Sequence, residues 1–483
     1  HVNDTHSHME PVRGGEYDGL GGIIERAAFV DSVRKADGAG NVLLLHAGDF
    51  SQGTSYFTEL KGDIEIQVIN AMGYDCIALG NHEFDNGLES LAGYYKNVKA
   101  TKLSANYDWS ETDLAGLFQP YRIYTFGNKK VGFFGINVNP NGLIMDKNFV
   151  GLRYIPQDKV ADATARYLKE VQGVDYTVML SHIGYTNDSG EMSDTAIVHH
   201  SHYIDLVIGG HSHTVVKPGS DMSMVPNADG RIITVGQNGK SAKIVGVYTL
   251  ELGDRLAVNY EQIDVDDKWD AIAEKSYPEM SRWLGKYRAG VDSLMNNPIA
   301  ISDMEWNNKD DGAMNWVCDI TLDIIGEVSG IKNIDLAIMN KGGIRTSMPR
   351  GTVTEGLIMS MFPFDNRYVV LDIMGKDLID ALAVMAGRGG DALSRGMLVT
   401  YDSKGNITSA KLKGKKIDPN KHYTVATINY LSDGGDYMVP LTRATEIFRD
   451  DVKYGDHVMR YIINKGKAGK HLTTTNEARM VKK

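Results

Sequence analysis

From the first residue to about residue 262 the chain repeats one pattern: a short apolar run ends in His, Asp or Asn, and a helical or mixed segment follows. The runs Val42-Leu43-Leu44-Leu45, Cys76-Ile77-Ala78-Leu79, Tyr176-Thr177-Val178-Met179-Leu180 and Leu206-Val207-Ile208 are too short for helices and read as buried strands. Between the first two polar clusters, Leu20, Ile23, Ile24, Ala27 and Val30 recur at helical spacing. Strands alternating with helices predict a layered α/β domain, in which ligands collect at strand ends. Farther on, Trp269, Ile272, Ala273, Tyr277, Met280, Trp283, Leu284 and Tyr287 form one apolar side of a long helix that Asn297-Pro298 terminates. The pattern divides the chain into a domain over 1–265, a linker helix over 266–297 and a second domain over 298–483. That second domain mixes helix and strand signals, with turns at Lys341-Gly342-Gly343, Gly387-Arg388-Gly389-Gly390 and Asp433-Gly434-Gly435-Asp436. The basic stretch 411–416 reads as the solvated face of a hairpin.

Composition narrows the class. The 483 residues suffice for two or three domains, and 42% hydrophobic with 23% charged residues is a globular balance. No apolar run approaches the roughly 18 residues that suggest a membrane span. A net charge of −11 argues against a broad cationic surface for polymeric nucleic acid. A small anionic substrate remains open, because metal ions supply positive charge locally. Only Cys76 and Cys318 are present, which excludes a disulfide scaffold or a cysteine zinc cluster. The chain opens at His1 without an initiator Met, as expected of a processed or trimmed chain whose targeting segment, if any, has been removed.

Five clusters carry candidate chemistry: Asn3-Asp4-Thr5-His6, Gly48-Asp49, Gly80-Asn81-His82-Glu83-Phe84-Asp85, Ser181-His182 and Gly209-Gly210-His211-Ser212-His213. Asp and neutral His are the usual ligands of zinc and manganese, and Asn adds a carbonyl oxygen. Asp4 and His6 are two residues apart, as are His211 and His213, so on extended strand ends each pair points to one side. Asp49 has two carboxylate oxygens and can bridge two ions a few Å apart, the spacing that a two-metal displacement at phosphorus requires. An Asp-x-His pair alone is common, whereas Gly-Asn-His-Glu closing an apolar strand is more specific. All five in order, each at the end of a buried run, form a strong signal. His199, His200 and His202 lie around a helix before a strand and read as a surface face rather than a metal site.

With these motifs the chain resembles the calcineurin-like metallophosphoesterases and, within them, the 5′-nucleotidase family. The resemblance implies an N-terminal four-layered αββα sandwich, a linker helix and a C-terminal α+β substrate-binding domain. It implies two divalent cations, zinc or manganese. Asp4, His6, Asp49 and His213 would hold one; Asp49, Asn81, His182 and His211 would hold the other, with Asp49 shared. Many family members carry Gln where His213 stands. His82 would stabilise the charge developing on the phosphoryl group and protonate the leaving oxygen, with Asp85 fixing its tautomer. The ions would lower the pKa of the attacking water. His8 and His46 read as groups behind the ligands, and Glu83 and Phe84 as packing or loop structure.

The second domain bears on the substrate. Asn340-Lys341-Gly342-Gly343-Ile344-Arg345 sets an Arg beside a glycine turn, an arrangement suited to phosphate. Phe364 and Tyr430 each lie in a loop, and two such rings sandwich a nucleobase with ~1–3 kcal/mol per base stacked. These segments resemble the C-terminal 5′-nucleotidase domain. By that match Phe364 and Tyr430 stack on the base, Asp436 accepts from ribose hydroxyls, Arg345 contacts phosphate, and Asn340 and Asn366 line the pocket. Lys341 replaces the first of three glycines common in the family, and Tyr430 stands where Phe is frequent. Lys309 is the only cation in 306–311, where some members carry Arg. The substrate is expected to span a cleft between domains, with the hinge at the linker helix. The expected activity is hydrolysis of a nucleoside 5′-monophosphate to nucleoside and phosphate. The alternative is action on 2′,3′-cyclic nucleotides or UDP-sugars. The family resemblance also implies a periplasmic or extracellular, surface-anchored location. A binding module on an inactive scaffold would show a damaged ligand set, and every matched ligand is intact.

Overall fold

A computed structural model describes residues 1–12, 19–60, 62–186, 192–269 and 278–483. The chain forms two compact units, His1–Tyr287 and Arg288–Lys483. Their boundary falls inside the helix Pro278–Asn296, which is preceded by a 3₁₀ turn at Asp267–Trp269. Ile272, Ala273 and Tyr277, part of the predicted helical stripe, lie outside the described residues.

In the first unit, Leu45–His46, Cys76–Ala78 and Thr101–Leu103 form a parallel sheet in that order. Two segments cross over between neighbouring strands: one with helices Ser55–Leu60 and Asp63–Met72, the other with Gly87–Tyr95. Right-handed crossovers in a sheet of sequential order put all these helices on one face. The other face meets a second, six-stranded sheet. Its order is Met224–Pro226, Ile232–Gly236, Leu206–Ile208, Tyr176–His182, Lys129–Asn137 and Tyr121–Phe126. Side chains alternate across a strand, and this alternation partitions the core. Val131, Phe133, Val178, Leu180, Leu206 and Ile208 pack with Leu45, Cys76, Ala78 and Leu103 between the sheets. Phe134, Ile136, Met179 and Val207 pack on the far side with Ala161, Ala165, Leu168, Ile197 and Val198. Those last five belong to helices Gln157–Glu170 and Asp194–His200. The layers therefore run helix, sheet, sheet, helix. Tyr176–His182 is buried along its whole length, which is why Val178, Met179 and Leu180 follow one another without apolar–polar alternation. The run 42–45 contributes only Leu45 to the ladder, because the Leu44 N–H is taken by the Asp75 carboxylate at 2.8 Å.

The second unit is built on a five-stranded mixed sheet. Its order is Ala392–Leu393, Leu336–Met339, His422–Ile428, Arg367–Met374 and Thr445–Lys453. Helices Asp311–Ser329, Gly375–Gly387 and Tyr454–Lys467 contribute Trp316, Ile325, Leu378, Leu382, Val458 and Ile462 to its core. Strands Ile407–Leu412 and Lys415–Lys416 form the hairpin expected at the basic stretch, with Lys413 and Gly414 at positive φ in its turn.

Candidate metal centre

The five sequence clusters arrive at one place. Val2 bridges His46 in parallel, so Asn3–His6 leaves the sheet beside the segment that follows Leu45–His46. The Asp4 N–H bonds the Gly48 carbonyl and the His6 N–H bonds the Asp49 carbonyl, both at 3.0 Å. Asn81 lies just beyond Cys76–Ala78, His182 closes Tyr176–His182, and His211 follows Leu206–Ile208.

These residues do not converge by the pleat of extended strands, as spacing had suggested. Asp4, His6, Asp49, His211 and His213 have φ of 49°, 46°, 55°, 82° and 56°, in the left-handed region. Asp and His are enriched there among non-glycine residues, and such backbone concentrates at functional sites. Two glycines make the approach feasible. A Cβ on Gly48 would stand 2.5 Å from His182 Nδ1, and one on Gly80 would stand 2.0 Å from Asp49 Oδ1. The Gly-Asp and Gly-Asn-His motifs thus begin with glycine because the His182 and Asp49 side chains occupy the space of a side chain.

Asp4, His6 and His213 form one group of ligand atoms and Asp49, His182 and His211 another, each within 4.8 Å. His6 Nε2 lies 3.0 Å from His213 Nε2, and His213 Nε2 lies 3.3 Å from Asp4 Oδ1. His182 Nε2 is 3.2 Å from Asp49 Oδ2. Metal–ligand bonds of about 2.0–2.1 Å in a tetrahedral site separate ligand atoms by about 3.3 Å, so the donor set fits divalent cations. Asp49 Oδ2 is also 4.0 Å from His6 Nε2, placing this carboxylate between the two groups. Asn81 Oδ1 stands 2.8 Å from His211 Nδ1. Asp4 is further fixed by the Asn3 side-chain amide at 2.7 Å and the His211 N–H at 2.9 Å.

The electrostatics suit a cation. Burial opposes ionisation of Asp4 and Asp49, but neighbouring imidazoles hold both carboxyls below the usual range: His213 and His182 for Asp4, His182 and His82 for Asp49. Burial likewise opposes a charge on His182, yet Asp49 and Asp4 outweigh it and hold the imidazole up to about 10. Proton and divalent cation therefore compete for the same position. His211 is lowered to about 4, by burial and then by the His182 charge, so its ring is neutral as a ligand must be.

His82 and Asp85 form a separate pair beside these groups. His82 Nδ1 is 2.8 Å from Asp85 Oδ2, and the His82 ring lies 5.4 Å from that of His6. His46 is buried, with Nε2 3.1 Å from the Thr5 hydroxyl and Nδ1 accepting the Gly48 N–H. His8 Nδ1 meets the Thr5 and His6 carbonyls at 3.1 and 3.0 Å. His202 pairs with Asp229 at the surface, and His199 and His200 face the carbonyls of Pro226 and Ala196.

Glu83, read from sequence as packing or loop structure, is an organising residue. Its buried carboxylate accepts the N–H groups of Asp49, Phe50, Ser51 and Gly80 and the Ser51 hydroxyl, tying both glycine motifs to one anchor. Burial and then the Asp49 charge push this carboxyl up to about 7. All five groups around it donate, so the nest fits the ionised form. Gln237, also absent from the sequence reading, accepts from the Ser212 hydroxyl at 2.8 Å and the Thr214 N–H at 2.6 Å, bracketing His213. The signal available for Glu83 was its place inside a motif of ligands; Gln237 had none.

Residues 1–215 match the calcineurin-like phosphoesterase family, and residues 293–442 match the 5′-nucleotidase C-terminal domain. The chain belongs to the 5′-nucleotidase family. A solved 5′-nucleotidase precursor from Thermus thermophilus is 27% identical with a TM-score of 0.85, covering 100% of this chain and 98% of its own. Protein UshA of Yersinia enterocolitica is 26% identical over 482 residues, 90% of this chain and 85% of the relative. The Bos taurus 5′-nucleotidase is 26% identical over 490 residues, 90% of this chain and 83% of the relative. Membership makes the chain a phosphoesterase of a family that uses divalent metals.

Within the family's C-terminal domain, the second unit carries the residues singled out from sequence, except that Tyr430, expected in a loop, lies in the short helix Asn429–Ser432. Asn340, Phe364 and Asn366 line one pocket with Val317, Met339 and Phe362. The Arg345 guanidinium lies 5.8 Å from the centre of the Phe364 ring. Asp436 accepts from the Asn340 amide at 2.7 Å and the Tyr430 hydroxyl at 2.9 Å. Gly435 lies so close beneath Tyr430 that a Cβ there would sit 2.4 Å from its ring. The sequence reading missed Arg388, which pairs with Asp436 at 2.7 Å. Its signal was an Arg embedded among glycines, as with Arg345.

Proposed function

We propose that this chain hydrolyses nucleoside 5′-monophosphates to nucleoside and phosphate with two divalent cations, zinc or manganese. The observation that supports this most is the gathering of Asp4, His6, His182, His211 and His213 around Asp49, beside the His82–Asp85 pair. When bound, the ions neutralise phosphoryl oxygens and lower the pKa of a coordinated water. Asp4, His6, Asp49 and His213 would hold one, and Asp49, Asn81, His182 and His211 the second. Asp85 accepts a hydrogen bond from the His82 Nδ1–H and stabilises the imidazolium, which leaves Nε2 to hold a proton for the leaving oxygen. Phe364 and Tyr430 stack on the base, Arg345 meets phosphate, Asp436 takes a sugar hydroxyl, and Asn340 and Asn366 shape the pocket. Family resemblance supports a periplasmic or extracellular, surface-anchored location. Among the described residues no helix is long and apolar enough to cross a membrane.

The test is phosphate release from AMP, ATP, UDP-glucose, 2′,3′-cyclic AMP and p-nitrophenyl phosphate, each with zinc, manganese or EDTA. AMP is expected to give the highest kcat/KM, EDTA to abolish turnover, and added ion to restore it. Phe364→Ala and Tyr430→Ala should each raise KM for AMP about 5- to 150-fold, the range that one lost stacking contact carries. Equal efficiency on AMP and p-nitrophenyl phosphate would remove the nucleotide reading. Turnover indifferent to EDTA would remove the metal reading.

A further inference from the structure

Under the function proposed above, Asp436 is the group that meets the sugar, and its carboxylate is already held on three sides. Oδ2 accepts from Asn340 Nδ2 and from Arg388 Nη2, each at 2.7 Å, and Oδ1 accepts from the Tyr430 hydroxyl at 2.9 Å. Arg388 Nη1 also donates to the Asp436 carbonyl at 2.9 Å. An ionised carboxylate has about four acceptor positions, so the one left lies on Oδ1. Asp436 itself stands at φ 54°, a left-handed conformation that its surroundings must maintain.

Arg388 is well placed to maintain it. It caps the helix Gly375–Gly387, and its own N–H bonds the Val384 and Met385 carbonyls at 3.2 and 3.3 Å. Its guanidinium lies between two carboxylates, with Nη1 3.4 Å from buried Asp391 and Nη2 on Asp436. Lys341, which replaces a family glycine, closes the assembly from behind. Its backbone N–H donates to Asp391, and its ammonium donates to the Arg388 carbonyl at 3.1 Å. Charge-assisted bonds are roughly twice as strong as neutral ones. Of the three side chains on this carboxylate, Arg388 therefore holds it hardest.

We infer that Arg388 is a positioning residue that sets sugar specificity: it fixes the rotation of the Asp436 carboxylate so that the remaining Oδ1 position is turned to a ribose hydroxyl. This rests on the nucleotide reading. Without the guanidinium, Oδ2 keeps only the Asn340 amide, and the Asp436 charge faces Asp391 uncompensated. The carboxylate can then turn, and the acceptor is no longer held toward the sugar. A guanidinium that merely stitched the helix end to the loop would affect all substrates alike.

The experiment is steady-state kinetics of the full metal-loaded chain on AMP, 2′,3′-dideoxyadenosine 5′-monophosphate and p-nitrophenyl phosphate. Wild type is expected to prefer AMP over the dideoxy analogue about tenfold in kcat/KM, the scale of one hydrogen bond to a charged group. Arg388→Ala should raise KM for AMP about tenfold at nearly constant kcat while leaving the other two substrates within about twofold. Arg388→Lys, which keeps the charge but loses the guanidinium fork that spans the Asp436 carbonyl and carboxylate, should recover only part of the loss in KM for AMP. Parallel losses on AMP and its dideoxy analogue overturn the inference, because the guanidinium would then not act through the sugar. Wild type that favours AMP over p-nitrophenyl phosphate but ignores the hydroxyls overturns it too, and leaves the nucleotide reading standing. No preference for AMP over p-nitrophenyl phosphate brings down the nucleotide reading itself.

Discussion

Asp49→Asn is expected to lower kcat for AMP by about 10³-fold or more and to reduce the metal retained after gel filtration by at least one ion per chain. Both effects follow from one side chain. Asp49 Oδ2 lies 3.2 Å from His182 Nε2 and 4.0 Å from His6 Nε2, so its carboxylate borders both ligand groups. Asn retains the shape but offers one neutral carbonyl oxygen, which is a poor bridge between two dications. Several kcal/mol of transition-state charge stabilisation depends on those ions, and each 1.36 kcal/mol is about tenfold in rate. The isostere keeps the loop intact, because Glu83 anchors the Asp49, Phe50 and Ser51 N–H groups independently of the Asp49 side chain. Circular dichroism should therefore match wild type. Full metal content and near-normal turnover in this variant would show that Asp49 is not shared between ions.

How much of this was legible in the sequence depends on the physical quantity concerned. Buried strands such as Tyr176–His182 and Leu206–Ile208 announce themselves, because a strand covered on both faces needs apolar side chains without interruption. The residues that close those strands announce themselves only together, since one such polar cluster is common alone and five in order, each at the end of a buried run, are not. Backbone conformation does not show in such patterns. Period-two spacing suggested that Asp4 and His6 share a side through the pleat, whereas both residues are left-handed. The glycines were visible as letters, but the reason for them, close approach to His182 Nδ1 and Asp49 Oδ1, exists only in three dimensions. Glu83 escaped because its partners Asp49, Phe50 and Ser51 lie more than thirty residues away in a segment whose N–H groups carry no sequence mark. Arg388 escaped for a related reason. Its partner Asp436 is 48 positions distant and meets it only once the helix Gly375–Gly387 has ended.

The proposed division of labour between ligands and acid leads to a second large effect. His82→Asn should lower kcat for AMP by about 10²–10⁴-fold, the usual contribution of a positioned general acid, while leaving the bound metal unchanged. The metal should stay because the His82 imidazole belongs to neither ligand group, and Asn supplies equally the backbone N–H that His82 gives Asp49 at 3.0 Å. The cost should depend on the leaving group. An alkoxide leaving from ribose needs a proton, whereas p-nitrophenolate leaves without one, so the loss on p-nitrophenyl phosphate should be at least tenfold smaller. Asp85→Asn should reproduce part of the defect, since an amide can present its NH₂ to Nδ1 and turn the ring to the wrong tautomer. Equal losses on both leaving groups would assign His82 to charge on the phosphoryl oxygens instead. Loss of bound metal along with activity would place its ring among the ligands, although it belongs to neither group of candidate ligand atoms.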